Sequence, residues 1–267
     1  MVKIRKTSAT DMEHDGIQYH IGLKRGELAD SVILCGEIER VEKVARFFSR
    51  VRVRRQKREY VTVTGTYRGI PVSVMGTGIG PDNTEIALVE SMRLIDAEKA
   101  VFIRVGSSGS LQDFVRLGDA VISTASVRLE NTSLYYVPEG YPAVADCDVV
   151  AALRQSAREL GKNEFRYHVG ITATTPSFYG AQCRNVGFPL RFPGLIRELT
   201  QMGVLNLEME TSTLFTLCSL RKARAGAICA AYTDRLHDTV IEPKEKRTAD
   251  RNCIRTALNA LVRLQTT

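Results

Sequence analysis

Ser31-Val32-Ile33-Leu34-Cys35-Gly36 is an apolar run that stops at a glycine, and Glu39 to Phe48 follows with Val41, Val44, Ala45 and Phe48 at helical spacing. A buried strand feeding a helix is the repeating unit of an α/β fold, and the alternation continues along the chain. Val61 to Gly65 and Pro71 to Met75 read as strands joined by the turn Tyr67-Arg68-Gly69. Asn83 to Leu94 reads as a helix, Ala100 to Val105 and Ala120 to Ala125 as core strands, and Asp148 to Leu160 as a helix ended by Gly161. His168 to Thr174 is expected as a strand, Val204 to Leu207 as a short extended piece, Met209 to Leu220 as a helix and Ala225 to Thr233 as a buried strand. Ala249 to Leu264 closes the chain as an amphipathic helix. Arg128 to Val144 and Gly180 to Phe192 lack strong periodicity, and long loops in a compact domain more often carry function than not.

The 267 residues suit one large α/β domain, and 44% hydrophobic with 25% charged content is that of a soluble globular chain. No apolar stretch reaches membrane-spanning length, so no membrane partner is expected. Residues 1–18 are polar and lack the apolar core of a signal peptide, and are expected to form a partly mobile arm before a domain spanning 19–267. The six cysteines include no C-x-x-C pair, which fits reduced thiols in a cytoplasmic protein. The net charge of +7 favours anionic ligands, and Arg50, Arg52, Arg54, Arg55, Lys57 and Arg58 concentrate it. Val51 and Val53 alternate with arginines, as in a strand with one solvated face. No aromatic residues interleave, so a nucleic-acid partner is not expected.

Three segments carry chemistry. In Phe178-Tyr179-Gly180-Ala181-Gln182-Cys183-Arg184, an amide and a guanidinium two residues apart can read a ring edge that alternates carbonyl, N–H and carbonyl, as uracil's does. In Asn206-Leu207-Glu208-Met209-Glu210 the acids can hold sugar hydroxyls, although acids also favour a helix start on dipole grounds alone. Ile103-Arg104-Val105-Gly106-Ser107-Ser108-Gly109 places an arginine at the end of a core strand, where it needs either phosphate or a buried salt bridge, with Glu59 or Asp119 as candidates. Gly106, Ser107 and Gly109 are expected as a turn whose donors converge on the same anion. Gly36 can bring its N–H close to an anion, or be a plain turn glycine. His20 and Phe178, taken alone, read as a surface histidine and a core aromatic. Gly76-Thr77-Gly78-Ile79-Gly80 lacks the spacing of a dinucleotide fingerprint.

With these segments in this order, and with Tyr19-His20-Ile21-Gly22-Leu23, Arg40, Arg58-Glu59 and Asp234-Arg235-Leu236, the chain resembles the nucleoside phosphorylases, and among them the uridine phosphorylases, from about Tyr19 to its end. The resemblance implies a single domain with a central mixed, partly barrel-like β-sheet flanked by helices. It implies reversible phosphorolysis of uridine to uracil and ribose 1-phosphate, with inorganic phosphate as co-substrate and no cofactor. By the same resemblance Gly36, Arg40, Arg58, Arg104 and Ser107 hold phosphate, with Arg58 reaching across a subunit interface. Gln182 and Arg184 read the base, Arg235 supports them and Phe178 stacks on the ring. Glu210 takes the ribose hydroxyls, Met209 packs on the sugar and Glu208 lies near the base. His20 reaches a neighbour's ribose 5′-hydroxyl. Asp234 stands where the purine enzymes of the family carry a proton donor, which keeps a purine nucleoside phosphorylase open as an alternative. A degenerate nucleoside-binding paralogue is another, since Gly36-Glu37-Ile38-Glu39-Arg40 and Pro81-Asp82-Asn83 depart from the family's loops. No metal is required, although an interface ion near Glu59 and Asn83 is compatible with the family. Family members occur as homodimers and as hexamers built as trimers of dimers.

Overall fold

The computed structural model describes residues 13–161, 165–184 and 186–266. A small hairpin comes first, β1 (Glu13–His14) with β2 (Ile17–Gln18). It is followed by β3 (Ser31–Cys35), α1 (Ile38–Ala45), β4 (Arg50–Lys57), β5 (Tyr60–Tyr67), β6 (Ile70–Gly76) and α2 (Pro81–Met92). The middle of the chain supplies β7 (Val101–Ser110), β8 (Ala120–Arg128), β9 (Ala143–Val144), α3 (Cys147–Glu159), β10 (Tyr167–Thr174) and α4 (Leu195–Gln201). The last part holds β11 (Asn206–Glu208), α5 (Thr211–Leu220), β12 (Arg224–Asp234), β13 (Thr239–Val240) and α6 (Pro243–Thr266).

All strands from β3 onward belong to one 11-stranded sheet in the order β13-β12-β8-β10-β11-β7-β3-β6-β5-β4, with β9 on β8. β12 also pairs with β7, so β7, β12, β8, β10 and β11 close into a ring while β3, β6, β5 and β4 extend from it. Parallel and antiparallel pairs are mixed: β7 with β12 and β8 with β10 are parallel, β11 with β7 and β12 with β8 antiparallel. This is the partly barrel-like mixed sheet that the resemblance implies.

Side-chain alternation explains why the open part is covered on both faces. Ile33 and Cys35 enter one core with α1, α3 and α6, whereas Val32 and Leu34 enter the other with α2 and α5. Closure requires small residues where elements approach. A Cβ on Gly226 of β12 would lie 2.4 Å from Val149 Cγ1 of α3, and one on Gly170 would lie 2.6 Å from Leu205 Cδ1 beside a register shift in β10. The basic strand β4 is an edge, paired only with β5. Charged side chains on an edge discourage pairing with another chain. Arg54 bonds Glu42, and Arg55 bonds Glu27 at 2.7 Å, so part of the basic run is neutralised within the fold.

Several elements differ from the sequence expectation. β7 runs through Gly106-Ser107-Ser108-Gly109 instead of turning there, because β11 and β12 pair with it on either side. Arg104 is therefore mid-strand. α6 begins at Pro243, six residues before Ala249, with proline pre-set for a first turn and Glu245 favoured by the helix dipole. α4 lies in a stretch for which no element was expected. Residues 13–18 form the hairpin, with Gln18 fully buried and its N–H on Leu23 O at 2.8 Å, rather than a free arm. The expectation for residues 1–12 lies outside the described residues.

Gly226→Ala should lower stability by about 1–3 kcal/mol through overpacking of β12 against α3, read as a fall in thermal midpoint. An unchanged midpoint would mean that α3 moves away at no cost.

Candidate active site

Arg104 is the centre of the site. Its guanidinium folds back over Gly106, where a Cβ would lie 2.8 Å from Arg104 Nη2. Arg104 Nε donates to Glu208 Oε2 at 2.7 Å and Nη2 contacts Glu210 Oε2 at 2.5 Å. Glu208 takes four further hydrogen bonds: from Thr174 Oγ1 at 2.7 Å, from the N–H of Glu210 at 2.9 Å, and from the N–H of Thr211 to both oxygens at 3.0 and 3.1 Å. It thus closes the buried N-terminus of α5 with a carboxylate. Glu210 Oε1 accepts the N–H of Gly80 at 2.7 Å. Burial alone would weaken the charge on Arg104, but Glu210 and Glu208 outweigh it and hold the guanidinium above the ordinary arginine range. Burial raises the Glu210 carboxyl above its ordinary value; Arg104 opposes that shift and the neighbouring Glu208 adds to it. The partners suggested from sequence for Arg104 are elsewhere. Asp119 bonds His168 Nε2 at 2.8 Å, and Glu59 is exposed on the β4–β5 turn.

Gly36 ends β3 against the β6–α2 loop, 3.4 Å from Gly78 O at the position of a Cβ. Arg40 departs from the expectation of an open phosphate ligand. It is 1% exposed, and its Nε and Nη2 lie 3.3 and 3.2 Å from Asp250 Oδ1, with Tyr232 Oη at 3.1 Å and Glu37 at 3.4 Å. Lys43 takes the other Asp250 oxygen at 2.6 Å. Burial would raise the Asp250 carboxyl, but Arg40, Lys43 and Tyr232 reverse that and hold it below its ordinary value. The reason lies 210 residues away in sequence, where α6 lays Asp250 against α1. Ser107 is the one half-exposed residue of β7.

The segment that carries Phe178, Gln182 and Arg184 leaves β10 beside Glu208, with Thr175 N–H on Glu208 O at 2.8 Å. Gln182 is 3% exposed, its main chain fixed by Ser177 O and by Arg235 Nη2 at 2.9 Å. Arg184 Nη2 reaches Gln182 Oε1 at 3.5 Å and Nε bonds Phe178 O at 3.1 Å. Burial and the like charge of Arg235 lower the Arg184 guanidinium from its ordinary value. Arg235 lies over β7, its Cγ 2.8 Å from where Gly109 would carry a Cβ, and its Nε is buried without a hydrogen-bond partner. The structure therefore brings Gln182 and Arg184, from the segment after β10, together with Arg235, which follows β12 and packs on Gly109 of the strand that carries Arg104. Phe178 is 45% exposed, not a core residue, and the Arg184 guanidinium lies 4.0 Å from its ring centre. Met209 is half-buried between the two glutamates.

Asp234 is spent on a turn. It accepts the N–H of Leu236 at 2.8 Å and of His237 at 3.1 Å, and His237 Nδ1 lies at 2.9 Å. Although burial opposes it, His237 and the turn N–H groups hold the Asp234 carboxyl below its ordinary value.

His20 and Arg58 form a second patch. Arg58 sits at positive φ (52°) in the β4–β5 turn, its guanidinium 5.2 Å from the Tyr19 ring centre, and Tyr19 meets the His20 ring edge-on at 4.8 Å. Asn83 and Glu59 flank Gly78, whose Cβ position is 2.6 Å from Asn83 Nδ2 and 3.6 Å from Glu59 Cγ. No group of three or more His, Cys, Asp or Glu side chains is gathered for a metal among the described residues. Sequence reading passed over Thr174, Glu90, Tyr232 and Asp250. None stands in a motif, and only the sheet register and helix docking reveal them.

A buried arginine bracketed by carboxylates beside an arginine-rich polar loop is, on this sheet, the framework of a site for an anion and a small polar ring. The model of the phosphorylase superfamily matches residues 30–264, and the chain belongs to that superfamily. It is 44% identical to uridine phosphorylase of Thermococcus kodakarensis over 88% of this chain and 84% of that one. It is 33% identical to uridine phosphorylase of Escherichia coli over 92% and 97%. A solved Trypanosoma brucei nucleoside phosphorylase with uridine phosphorylase activity superposes with a TM-score of 0.86 at 27% identity, covering 94% of this chain and 98% of that one.

Asp250→Asn should destabilise the protein at pH 7 by about 3 kcal/mol, since it leaves Arg40 buried without its counter-charge. Because the folded Asp250 titrates below 3.8, its contribution is complete above that pH and is lost as pH falls through the folded value. Denaturant titrations at several pH values should show a flatter acid limb in the variant; an equally steep limb would assign it to other carboxylates.

Proposed function

We propose that this chain catalyses the reversible phosphorolysis of uridine to uracil and ribose 1-phosphate, a pentosyl transfer of pyrimidine salvage. The observation that carries the reading is the strand β7, which joins Arg104, held by Glu208 and Glu210, to the Gln182–Arg184–Arg235 loop. The level of identity to uridine phosphorylases supports the same reaction.

In this reading phosphate is the nucleophile, so no serine or cysteine nucleophile is needed. Arg104, Ser107 and the Gly36 N–H hold phosphate below the sugar, Arg58 reaches it from a neighbouring subunit, and Arg40, tied to Asp250, adds charge from behind. Glu210 accepts the ribose hydroxyls and Met209 packs on the sugar, while Glu208 keeps Arg104 and the start of α5 in place. The C1′–N1 bond stretches first, and its electron pair leaves with the uracil ring. Phosphate oxygen then bonds C1′, and the uracil anion takes up a proton from solvent. Gln182 and Arg184, backed by Arg235, stabilise the charge growing on the uracil carbonyls, and Phe178 stacks on the ring once Arg184 turns to the base. This is electrostatic preorganisation combined with positioning.

Two residues assigned to a shared site, His20 and Arg58, lie on one patch, which supports a homodimer at least, with a closed two-fold arrangement. No helix of the described residues is long and apolar enough to cross a membrane. Four buried free thiols, Cys35, Cys218, Cys229 and Cys253, support a reducing, cytoplasmic setting, with residues 19–267 acting as one unit.

Uracil release from uridine should require phosphate, with inosine turned over far more slowly. Release without phosphate would mean a hydrolase and a misread arginine cluster; faster release from inosine would mean a purine enzyme. Arg184→Ala should lower kcat by about a hundredfold and raise KM for uridine by much less, because the contact strengthens as charge develops. A change in KM alone would remove Arg184 from the leaving-group role.

A further inference from the structure

His20 is held by a carboxylate that no motif announces. Glu90, in the third turn of α2, accepts the main-chain N–H of His20 at 3.1 and 3.0 Å and that of Ile21 at 2.9 Å. Its Oε1 also lies 2.6 Å from His20 Nδ1. The carboxylate side chain is 8% exposed and the histidine 27%. One buried acid thus fixes both the backbone that carries His20 and the plane of its ring.

An ionised carboxylate offers only lone pairs, so the imidazole nitrogen facing it must carry the hydrogen. In the neutral ring the remaining lone pair then falls on Nε2, the nitrogen turned away from Glu90. Tyr19, edge-on to His20 and under the Arg58 guanidinium, keeps this nitrogen on the same patch as the arginine. At its other end α2 starts after Gly80, whose N–H holds Glu210. One helix therefore links the sugar-binding carboxylate of its own subunit to the residue presented outward.

We propose that Glu90 is a positioning residue that sets the tautomer of His20, leaving Nε2 as a hydrogen-bond acceptor for the 5′-hydroxyl of a nucleoside in a neighbouring subunit. The proposal rests on the proposed function and on the reading of His20 that the family resemblance implies, a contact with a neighbour's ribose 5′-hydroxyl. It adds the source of selectivity for nucleosides with a free 5′-hydroxyl. A buried acceptor-only group behind an imidazole orients it as outer carboxylates orient metal-bound histidines. Glutamine at position 90 can keep the main-chain hydrogen bonds through its oxygen, but it turns an N–H donor toward Nδ1. That favours the opposite tautomer, in which Nε2 carries hydrogen.

The test compares kcat/KM for uridine and 5′-deoxyuridine in the wild type, His20→Ala and Glu90→Gln. The wild type is expected to favour uridine by about tenfold or more, the size of one well-made hydrogen bond, and His20→Ala to lose most of that ratio. Since a hydroxyl also accepts hydrogen bonds, the effect of Glu90→Gln is read from the ring ¹⁵N shifts of His20, which should pass from a protonated Nδ1 to a protonated Nε2. If His20→Ala abolishes the preference and Glu90→Gln leaves Nδ1 as the protonated nitrogen, the role of Glu90 is wrong while that of His20 stands. If His20→Ala keeps the preference, the assignment of His20 fails and the proposal fails with it. A wild type without phosphate-dependent uridine turnover overturns the proposed function itself. Should Glu90→Gln not fold, the ring ¹⁵N shifts of His20 in the wild-type protein at pH 8 decide. A protonated Nδ1 with an unprotonated Nε2 supports the proposal, and the reverse overturns it.

Discussion

A guanidinium in the wall of a closed sheet is tolerable only against carboxylates, and Arg104 has two. Glu208 must then be buried as well, and a buried carboxylate needs its remaining lone pairs satisfied. Thr174 of β10, the first N–H groups of α5 and Arg104 itself supply those donors. One electrostatic requirement therefore sets the pairing of β10 with β11, the starting point of α5 and the position of Glu210 above the arginine. Glu210 in turn takes the Gly80 N–H, which brings the start of α2 into the same network.

The network continues into the barrel interior. Ser126 joins Thr174 at 2.8 Å, and Ser123 joins Thr172 at 2.6 Å, which bonds Asn206 at 2.7 Å. These groups are small, so the strands can approach, and polar, so they brace the acids instead of leaving them unpaired. Such linked hydrogen bonds in a low-dielectric interior stiffen what they hold. Removing any single partner leaves a buried polar group without its bond, which costs more than the bond itself contributes.

Positive charge is distributed unevenly by the fold. Arg40 is matched by Asp250, Arg54 by Glu42 and Arg55 by Glu27. Arg184 and Arg235 instead stand close enough to repel, with Gln182 between them. Asp234 is matched by His237 within the turn that follows β12.

The alternation of apolar strands and amphipathic helices, visible from Ser31 to Leu264, determined the α/β class from sequence, because burial on both sheet faces leaves a continuous apolar signal. The Gln182–Arg184 and Glu208–Glu210 spacings marked pairs that the structure holds close, because those contacts are made within a few residues. Ring closure was not legible. It depends on β12 pairing with both β7 and β8, and on Gly106 and Gly109 continuing a strand where local preference suggests a turn. The partners of the charged residues were not legible either. Asp250 reaches Arg40 from the last helix and Glu90 reaches His20 across 70 residues. Local sequence records which groups need a counter-charge. Only the docking of distant elements decides which group supplies it, and hence which arginines remain available for a ligand.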